Sequence, residues 1–145
     1  MAPPDPAVYK VLDVNYNRAR EGLRVCEDIL RFCLKDAAMT GRFRRIRHAV
    51  TKTMACSSVS RKTMILERKI AEDPGKNFPN KTPKHSFRHL YFANLQRTKE
   101  ALRVLEEFLK LKDTKASLAI QKIRFDVYEA EKKSVEKFPS LFDPR

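Results

Sequence analysis

The sequence predicts an all-α fold, in which a duplicated αα-hairpin forms a four-helix bundle with a long central loop. Apolar residues recur at helical spacing in four segments, and no segment shows the strict alternation of a half-buried strand. Residues 15–32 are repeated at 94–111, where eight of the 18 positions are identical. At 145 residues the chain has the size of one domain, 1–145. Its halves are predicted at about 12–59 and 87–138, with a connecting region at 60–86.

The first two helices are predicted from a 3.6-residue apolar period. The first covers about 14–34 and ends before Asp36 and Gly41, and the second runs from about 40 to 59. Their apolar positions are Ala19, Leu23, Cys26, Ile29, Leu30 and Cys33 in the first helix, and Phe43, Ile46, Val50 and Met54 in the second.

The connecting region, 60–86, differs in composition from both halves. Its first part, Met64–Ile70, either extends the second helix or forms a turn of its own. The remainder contains Asp73-Pro74-Gly75 and two further prolines. Loops longer than about 15 residues are usually functional or disordered.

The third and fourth helices repeat the pattern of the first two. The third is predicted at about 87–112, and Asp113-Thr114 opens a fourth that runs toward Val135 and ends at Phe138-Pro139. The repeat continues from Arg45-Ile46-Arg47 to Lys122-Ile123-Arg124, but the offset falls from 79 to 77 residues. The loop within the second half is therefore expected to be two residues shorter.

Composition indicates a soluble protein with an anionic partner. The net charge of +13 favours a nucleic acid, a nucleotide or a phosphorylated metabolite, although a lysine-rich solubilising surface would also account for it. No apolar run approaches the ~18 residues of a membrane-spanning helix. The start of the chain shows no secretory signal, and the three cysteines are expected to be reduced, buried thiols, so we expect a cytoplasmic location.

Two Asn–Arg pairs are the first candidates for a binding site. Asn15 falls on the apolar face of the first helix with Arg18 at its edge, and the repeat gives Asn94 and Arg97 the same positions. The two amides could bond each other across a pseudo-twofold axis, or both pairs could line a polar cavity that holds a ligand. An amide without a partner on such a face would cost roughly 1–3 kcal/mol.

Other repeated residues have both packing and functional interpretations. Gly22 and Ala101 are small at equivalent positions, which predicts that the first and third helices cross closely there. Both copies also read Glu-x-Leu-Arg-Val-x-Glu, a string with helical ion-pair spacing whose charges either are solvated or share a constraint. The further candidates for anion contacts are Arg24, Arg103, Arg47, Arg124 and Tyr128. With three glycines the chain has no phosphate-binding glycine loop, and it has no zinc-binding motif.

The strings 12–25 and 94–107 resemble the helical hydroxymethylpyrimidine-phosphate kinase family of thiamin biosynthesis, a domain often fused ahead of thiamin phosphate synthase. The resemblance covers nearly the whole chain. It implies ATP-dependent phosphorylation of a pyrimidine phosphate to its diphosphate, with ATP as co-substrate, Mg²⁺ as cofactor and thiamin phosphate synthase as a partner. The family also has an Asp-x-Gly loop preceded by an arginine, here Asp73–Gly75 and Arg68, but its acidic residue after that arginine is Lys69 in this chain.

The implied reaction fits the composition. The acceptor is a phosphate monoester whose second pKa is about 6, so at neutral pH it is already a nucleophile and needs no strong base. The catalyst must hold two anions together and neutralise them. The predicted catalytic residues are Arg18, Arg97 and Asp73, with Asp73 also the metal ligand; the predicted binding residues are Asn15, Asn94, Arg24, Arg103, Arg47, Arg68, Arg124 and Tyr128.

Two other functions share some of these features. A nucleic-acid-binding helical module would need a basic stripe, whereas basic residues alternate with Glu on the repeated helices, which argues against it. A non-catalytic regulatory or interaction domain of a thiamin phosphate synthase would fail to bind ATP. The sequence leaves the oligomeric state open, a homo-oligomer included.

Overall fold

The computed structural model of the chain describes residues 5–80 and 86–141. It contains five α-helices: α1 (Asp5–Asp28), α2 (Ala37–Cys56), α3 (Arg61–Leu66), α4 (Phe87–Leu109) and α5 (Thr114–Lys137). A π-helical turn, Ile29–Cys33, continues α1, and short 3-10 turns lie at Ile70–Glu72 and Pro139–Leu141. No strand occurs in the described ranges, which confirms the all-α prediction.

The element boundaries differ from the prediction mainly at the two ends of the first hairpin. Helix α1 begins at Asp5 rather than at residue 14, because Val8 and Leu12 extend its buried stripe. Of the two alternatives left open for Met64–Ile70, the structure has a separate element: Met64 lies in α3, a short helix that begins after the Ser60 N-cap.

The π-helical turn accounts for the change in repeat offset. Five residues separate the buried Leu30 from Asp36, whereas three separate their equivalents Leu109 and Asp113. In the longer loop the Leu34 amide donates to the Ile29 carbonyl at 3.0 Å and Lys35 adopts a positive φ of 53°. The prediction that Cys33 lies in the buried stripe was wrong: this wider turn leaves Cys33 exposed, as Cys56 is, and only Cys26 is buried.

The two hairpins are joined by reciprocal contacts at equivalent aspartates. Asp36 caps α2 by accepting from the Met39 amide at 2.8 Å, and Lys137 at the end of α5 binds the same carboxylate at 2.6 Å. Asp113 caps α5 through the Ala116 amide at 3.0 Å.

At the Asp113 cap, the amide of Ser58, just after α2, also donates to the carboxylate at 2.9 Å. Each hairpin therefore caps its second helix where the other hairpin ends, as a pseudo-twofold axis requires.

The four long helices contact one another in a closed ring. Helix α1 packs against α2 and α4, α5 packs against α2 and α4, and α3 lies on α1. These are the neighbours that the predicted four-helix bundle needs. The core between them contains Phe43 and Tyr91, whose ring centroids are 6.1 Å apart. Among the described residues no helix is long and apolar enough to span a membrane.

Helices α1 and α4 cross closely at Gly22, as the repeat predicted, but with a different partner. A Cβ atom added to Gly22 would collide with Thr98 Oγ1 and lie 2.7 Å from the carbonyl oxygen of Asn94, whereas Ala101 is not among its nearest neighbours. Thr98 is the repeat equivalent of Ala19, and its hydroxyl reaches the Ala19 carbonyl at 3.5 Å. The pseudo-twofold axis therefore lies near Ala19 and Thr98, about one helical turn from the Gly22–Ala101 position that the small residues predicted.

Candidate functional site

A groove of about 580 Å³ runs along the α1–α4 pair, and both predicted Asn–Arg pairs line it. Asn15 and Arg18 come from α1, and Asn94 and Arg97 come from the equivalent positions of α4. These four side chains therefore line one groove, and their role in binding a ligand stays a prediction. The other polar lining residues are Gln96 and Glu100 of α4 and Asn80 of the connecting region.

The two asparagines of the groove do not bond each other. Asn15 Nδ2 donates to the Val11 carbonyl at 2.9 Å, and Asn94 Nδ2 donates to the Leu90 carbonyl at 2.8 Å, each one turn earlier on its own helix. Both amide groups are thereby held in the same orientation. Each carboxamide oxygen remains available as an acceptor, and that of Asn15 lies 3.5 Å from Arg18 Nη1.

The charge of the groove is positive. Arg18 and Arg97 are exposed, and neither forms an ion pair with a carboxylate among the described residues. Glu100 is the single acidic residue in the described lining. A groove with two arginines and one carboxylate attracts anions, and guanidinium groups suit phosphate because they offer a planar pair of donors.

The repeated Glu–Arg strings have a structural role in the first hairpin. Glu27 is 4% exposed, and both of its carboxylate oxygens accept from Arg47 Nη2 of α2, at 3.2 and 3.1 Å. Arg24 Nη1 approaches the same carboxylate at 3.2 Å. Arg47 therefore joins α1 to α2 through Glu27, Arg24 pairs with Glu27 within α1, and neither arginine lines the groove.

The second hairpin repeats this arrangement at the same distances. Glu106 is 3% exposed and accepts from Arg124 Nη2 at 3.2 and 3.1 Å and from Arg103 Nη1 at 3.2 Å. Arg124 Nη1 also lies 3.4 Å from the Tyr128 hydroxyl. Burial lowers the pKa of Arg124, but the bonds to Tyr128 and Glu106 outweigh it and raise that pKa above its usual value. Of the predicted binding residues, Arg103, Arg124 and Tyr128 thus lie in this hairpin contact and not in the groove.

The predicted loop residues lie outside the described groove lining. Arg68 is bound to Asp13 of α1, at 2.5 Å from Nε and 2.9 Å from Nη2. Asp73 is exposed, and its Oδ1 accepts from the Gly75 amide at 2.8 Å within a turn. Within the described part of the connecting region, Asn80 lines the groove.

Metal binding by Asp73 stays a prediction. The described part of the chain contains no group of three or more His, Cys, Asp or Glu side chains that could hold a metal ion. Mg²⁺ that arrives on nucleotide phosphates needs only one or two carboxylates from the protein. Within the groove, Glu100 is placed to supply one.

Sequence reasoning missed Asp13, Asn80 and Glu100. The repeat could not point to Asp13, because its equivalent in the second half is Phe92. The signal that could have identified Asp13 is its place next to Leu12 in the buried part of the helix. A carboxylate on an apolar face needs a cationic partner. Asn80 has no equivalent in the repeat, and no periodicity predicts the path of a loop.

Comparison with known proteins agrees with the resemblance at the family level. The ThiD2 family model matches residues 10–133. The chain is 36% identical over 126 residues to the thiamine-phosphate synthase of a Nostoc species, which covers 86% of this chain and 34% of that protein. It is 34% identical over 124 residues to the thiamine-phosphate synthase of Thermosynechococcus vestitus, which covers 84% of this chain and 34% of that protein.

The chain spans about a third of the length of these relatives. No solved structure matches it. The family model covers most of the chain and includes both Asn–Arg pairs of the groove. The chain belongs to the ThiD2 family.

Proposed function

We propose that this protein is a kinase of thiamin biosynthesis that transfers a phosphoryl group from ATP to hydroxymethylpyrimidine phosphate and forms the diphosphate. Two findings support the pathway: membership of the ThiD2 family and the likeness to proteins named thiamine-phosphate synthase. The resemblance of the repeated strings to hydroxymethylpyrimidine-phosphate kinases supports the reaction. A thiamin phosphate synthase is the partner that this proposal implies.

The single observation that carries the proposal is that both Asn–Arg pairs line one groove. The reaction brings two phosphate-bearing molecules together, and the duplicated chain presents two equivalent sets of phosphate-binding groups on the same surface. Arg18 and Arg97 have no described carboxylate partner, so each can take a phosphate without first breaking an ion pair. A groove of about 580 Å³ lies within the range of small-molecule sites.

In this mechanism the chain binds and orients the two substrates and neutralises the charge of their phosphates. The carboxamide oxygen of Asn15 lies 3.5 Å from Arg18 Nη1, and Asn94 and Arg97 occupy the equivalent positions of α4. The two guanidinium groups oppose the repulsion between donor and acceptor phosphates and stabilise the charge of the transition state. The acceptor phosphate is already ionised, so no residue has to remove a proton.

Mg²⁺ fits this groove as a companion of ATP rather than as a resident ion. When bound, it would neutralise the charge on the nucleotide phosphates. Glu100 is the lining carboxylate that could complete its coordination, and Asp73 would have to leave its turn with Gly75 to take part.

The test is an ATP-consumption assay with hydroxymethylpyrimidine phosphate, followed by detection of the diphosphate product by phosphorus NMR. We expect ADP and the pyrimidine diphosphate in equal amounts, and no turnover when Mg²⁺ is removed. A chain that binds neither ATP nor the pyrimidine would instead be a regulatory domain. Salt-sensitive binding to random DNA without ATP turnover would favour the nucleic-acid module.

A further inference from the structure

A second group of cations lies where α3 packs against α1, away from the groove. It consists of Arg20 of α1, Arg61 of α3 and Arg68 just beyond α3, gathered around Asp13 and Tyr16; we call it the Asp13 cluster. Asp13 lies roughly 160° around the α1 axis from the groove residue Asn15. The Asp13 cluster and the groove therefore occupy different flanks of the same helix.

Asp13 is the fixed centre of this cluster. It is 3% exposed and accepts from Arg61 Nη1 at 3.1 Å and from Arg68 at 2.5 and 2.9 Å. Burial raises the pKa of Asp13, but the hydrogen bonds and charges of Arg68 and Arg61 outweigh burial and hold that pKa below its usual value. The carboxylate therefore stays ionised and sets the positions of both guanidinium groups.

Tyr16 brings the third arginine to the same place. The guanidinium carbon of Arg61 lies 4.6 Å from the centre of the Tyr16 ring, and that of Arg20 lies 5.2 Å from the same centre. Arg20 Nε is buried and has no hydrogen-bond acceptor among the described residues. Arg20 Nε shares this state with Arg47 Nε and Arg124 Nε, but unlike those two arginines Arg20 has no ion pair among the described residues, so its guanidinium is free to bind an added acceptor.

The balance of charge points to the same conclusion. Arg61 and Arg68 bind Asp13, whereas Arg20 has no ion pair among the described residues, so the three guanidinium groups and the one carboxylate carry a net charge of +2. The side chains of Arg61 and Arg68 are 41% and 38% exposed, so an anion from solvent can reach them while they remain on Asp13. An anion with many acceptor oxygens meets this set of donors better than a carboxylate, which has only two.

We propose that Arg20, Arg61 and Arg68, arranged around Asp13 and Tyr16, form a second anion site that binds a diphosphate group. The group could belong to free pyrophosphate or to the phosphate chain of a nucleotide. The site does not depend on the kinase reaction proposed for the groove, because the two share no residue.

The test is calorimetric titration of inorganic pyrophosphate into the full chain that carries Arg18→Ala and Arg97→Ala, so that the groove contributes no arginine. We expect one binding event, weakened about tenfold or more by a further Arg20→Gln or Arg61→Ala change. Lys62→Ala is the matched control, since Lys62 is an exposed cation on α3 next to Arg61, and it should change the Kd less than twofold.

Three results would overturn the site: no pyrophosphate binding, equal binding with and without Arg20, or an equal loss in Lys62→Ala. Arg61→Ala removes a partner of buried Asp13 and could reduce folding, which circular dichroism would reveal. Arg20→Gln then decides, because Arg20 has no ion pair among the described residues.

Titration of ATP into the same variants separates the two sources. If Arg20→Gln weakens ATP binding, the site binds the phosphate chain of a nucleotide. If Arg20→Gln leaves the Kd for ATP unchanged, the site binds free pyrophosphate. Absence of kinase turnover in the unmodified protein would contradict only the proposed function and would leave the pyrophosphate result unaffected.

Discussion

Four arginines at repeated positions are of two kinds: those bound to a buried carboxylate, and those that line the groove without a carboxylate partner among the described residues. Arg47 and Arg124 are arginines of the first kind, held by buried Glu27 and Glu106. Arg18 and Arg97 are of the second kind. The distinction decides what each substitution should do, because the first kind affects folding and the second affects binding.

Arg18→Ala and Arg97→Ala should each lower kcat/KM for the pyrimidine phosphate about 100-fold, because each removes a positioned positive charge from the transition state. Unfolding in urea should be nearly unchanged, since neither arginine has a described carboxylate partner. Arg44→Ala, an exposed arginine on α2, is the control and should keep full activity. Full activity in the Arg18→Ala/Arg97→Ala double variant would exclude the groove as the site.

Glu27→Gln and Glu106→Gln should each destabilise the fold by about 3 kcal/mol, because a buried arginine loses its counter-charge. Arg47 is 13% and Arg124 is 8% exposed at the side chain, so solvent cannot replace the carboxylate in either hairpin. Urea unfolding measures the effect. The control is Glu21→Gln on the exposed face of α1, and losses no larger than in this control would show that the buried pairs contribute little.

Among the elements, the α1–α4 crossing and the two helix caps carry the fold. Gly22 lets α1 approach the backbone of α4, and Thr98 fills the space that a side chain would need. Asp36 and Asp113 each begin one helix and bind the end of another. These elements hold the groove in shape, since its walls are α1 and α4.

Gly22→Ala should destabilise the protein by about 1–3 kcal/mol, although alanine favours helices, because the new methyl group meets a backbone carbonyl that cannot move aside. Gly41→Ala in α2 is the matched control. There the new Cβ lies 3.4 Å from the flexible end of Arg45, so we expect no loss and up to ~1 kcal/mol of gain. Thermal unfolding of both variants checks the pair, and a gain at Gly22 would disprove the close crossing.

Acid should weaken the links between the hairpins. The bond from Lys137 lowers the pKa of Asp36, and bonds from the backbone of Ala116 and Ser58 lower the pKa of Asp113. The folded-state pKa of each carboxylate lies below its ordinary value of about 3.9. The stabilisation that its bonds contribute is therefore complete above a pH of about 3.9 and is lost as the pH falls through the lower, folded-state pKa.

The midpoint of urea unfolding should therefore fall as the pH drops below about 4, and fall less in Asp113→Asn, which still caps α5 but does not titrate. The same measurement on Glu129→Gln, an exposed residue of α5, is the control. An equal acid slope in Asp113→Asn and the unmodified chain would contradict the assignment.

The molecule as a whole is two copies of one hairpin, and the copies differ where the connecting region reaches them. Both copies contribute an Asn–Arg pair to the groove, but only α1 holds an aspartate, Asp13, that binds α3 and the residue after it. The surroundings of the two pairs are therefore unequal, because Asn80 lines the groove and has no equivalent in the repeat. For the proposed kinase reaction, this inequality would let the site distinguish donor from acceptor.

For the proposed kinase reaction we expect kcat/KM to be independent of pH above about 7, because the acceptor phosphate is fully ionised there and the proposed mechanism uses no protein base. A pH series of initial rates, with stability checked at each pH, measures this. A steep dependence on a group that titrates near pH 8 would show that a residue removes a proton and that the mechanism is wrong.

The sequence by itself predicted the four long helices, the repeat that relates the two hairpins and the two Asn–Arg pairs that line the groove. Helical periodicity places Asn15 and Arg18 on a definite side of α1, and the repeat carries Asn94 and Arg97 to the matching side of α4, so local rules were enough. The same rules placed the start of α4 and the N-cap of α5.

Only the tertiary structure decided what the other charged residues bind. Arg47 and Arg68 have long side chains that reach partners far away in the sequence, Glu27 and Asp13, and nothing periodic relates these positions. The packing of α3 against α1 created the Asp13 cluster, and the path of the connecting region brought Asn80, rather than Asp73, to the groove. Such contacts depend on how the helices and loop pack in three dimensions, which local sequence patterns do not specify.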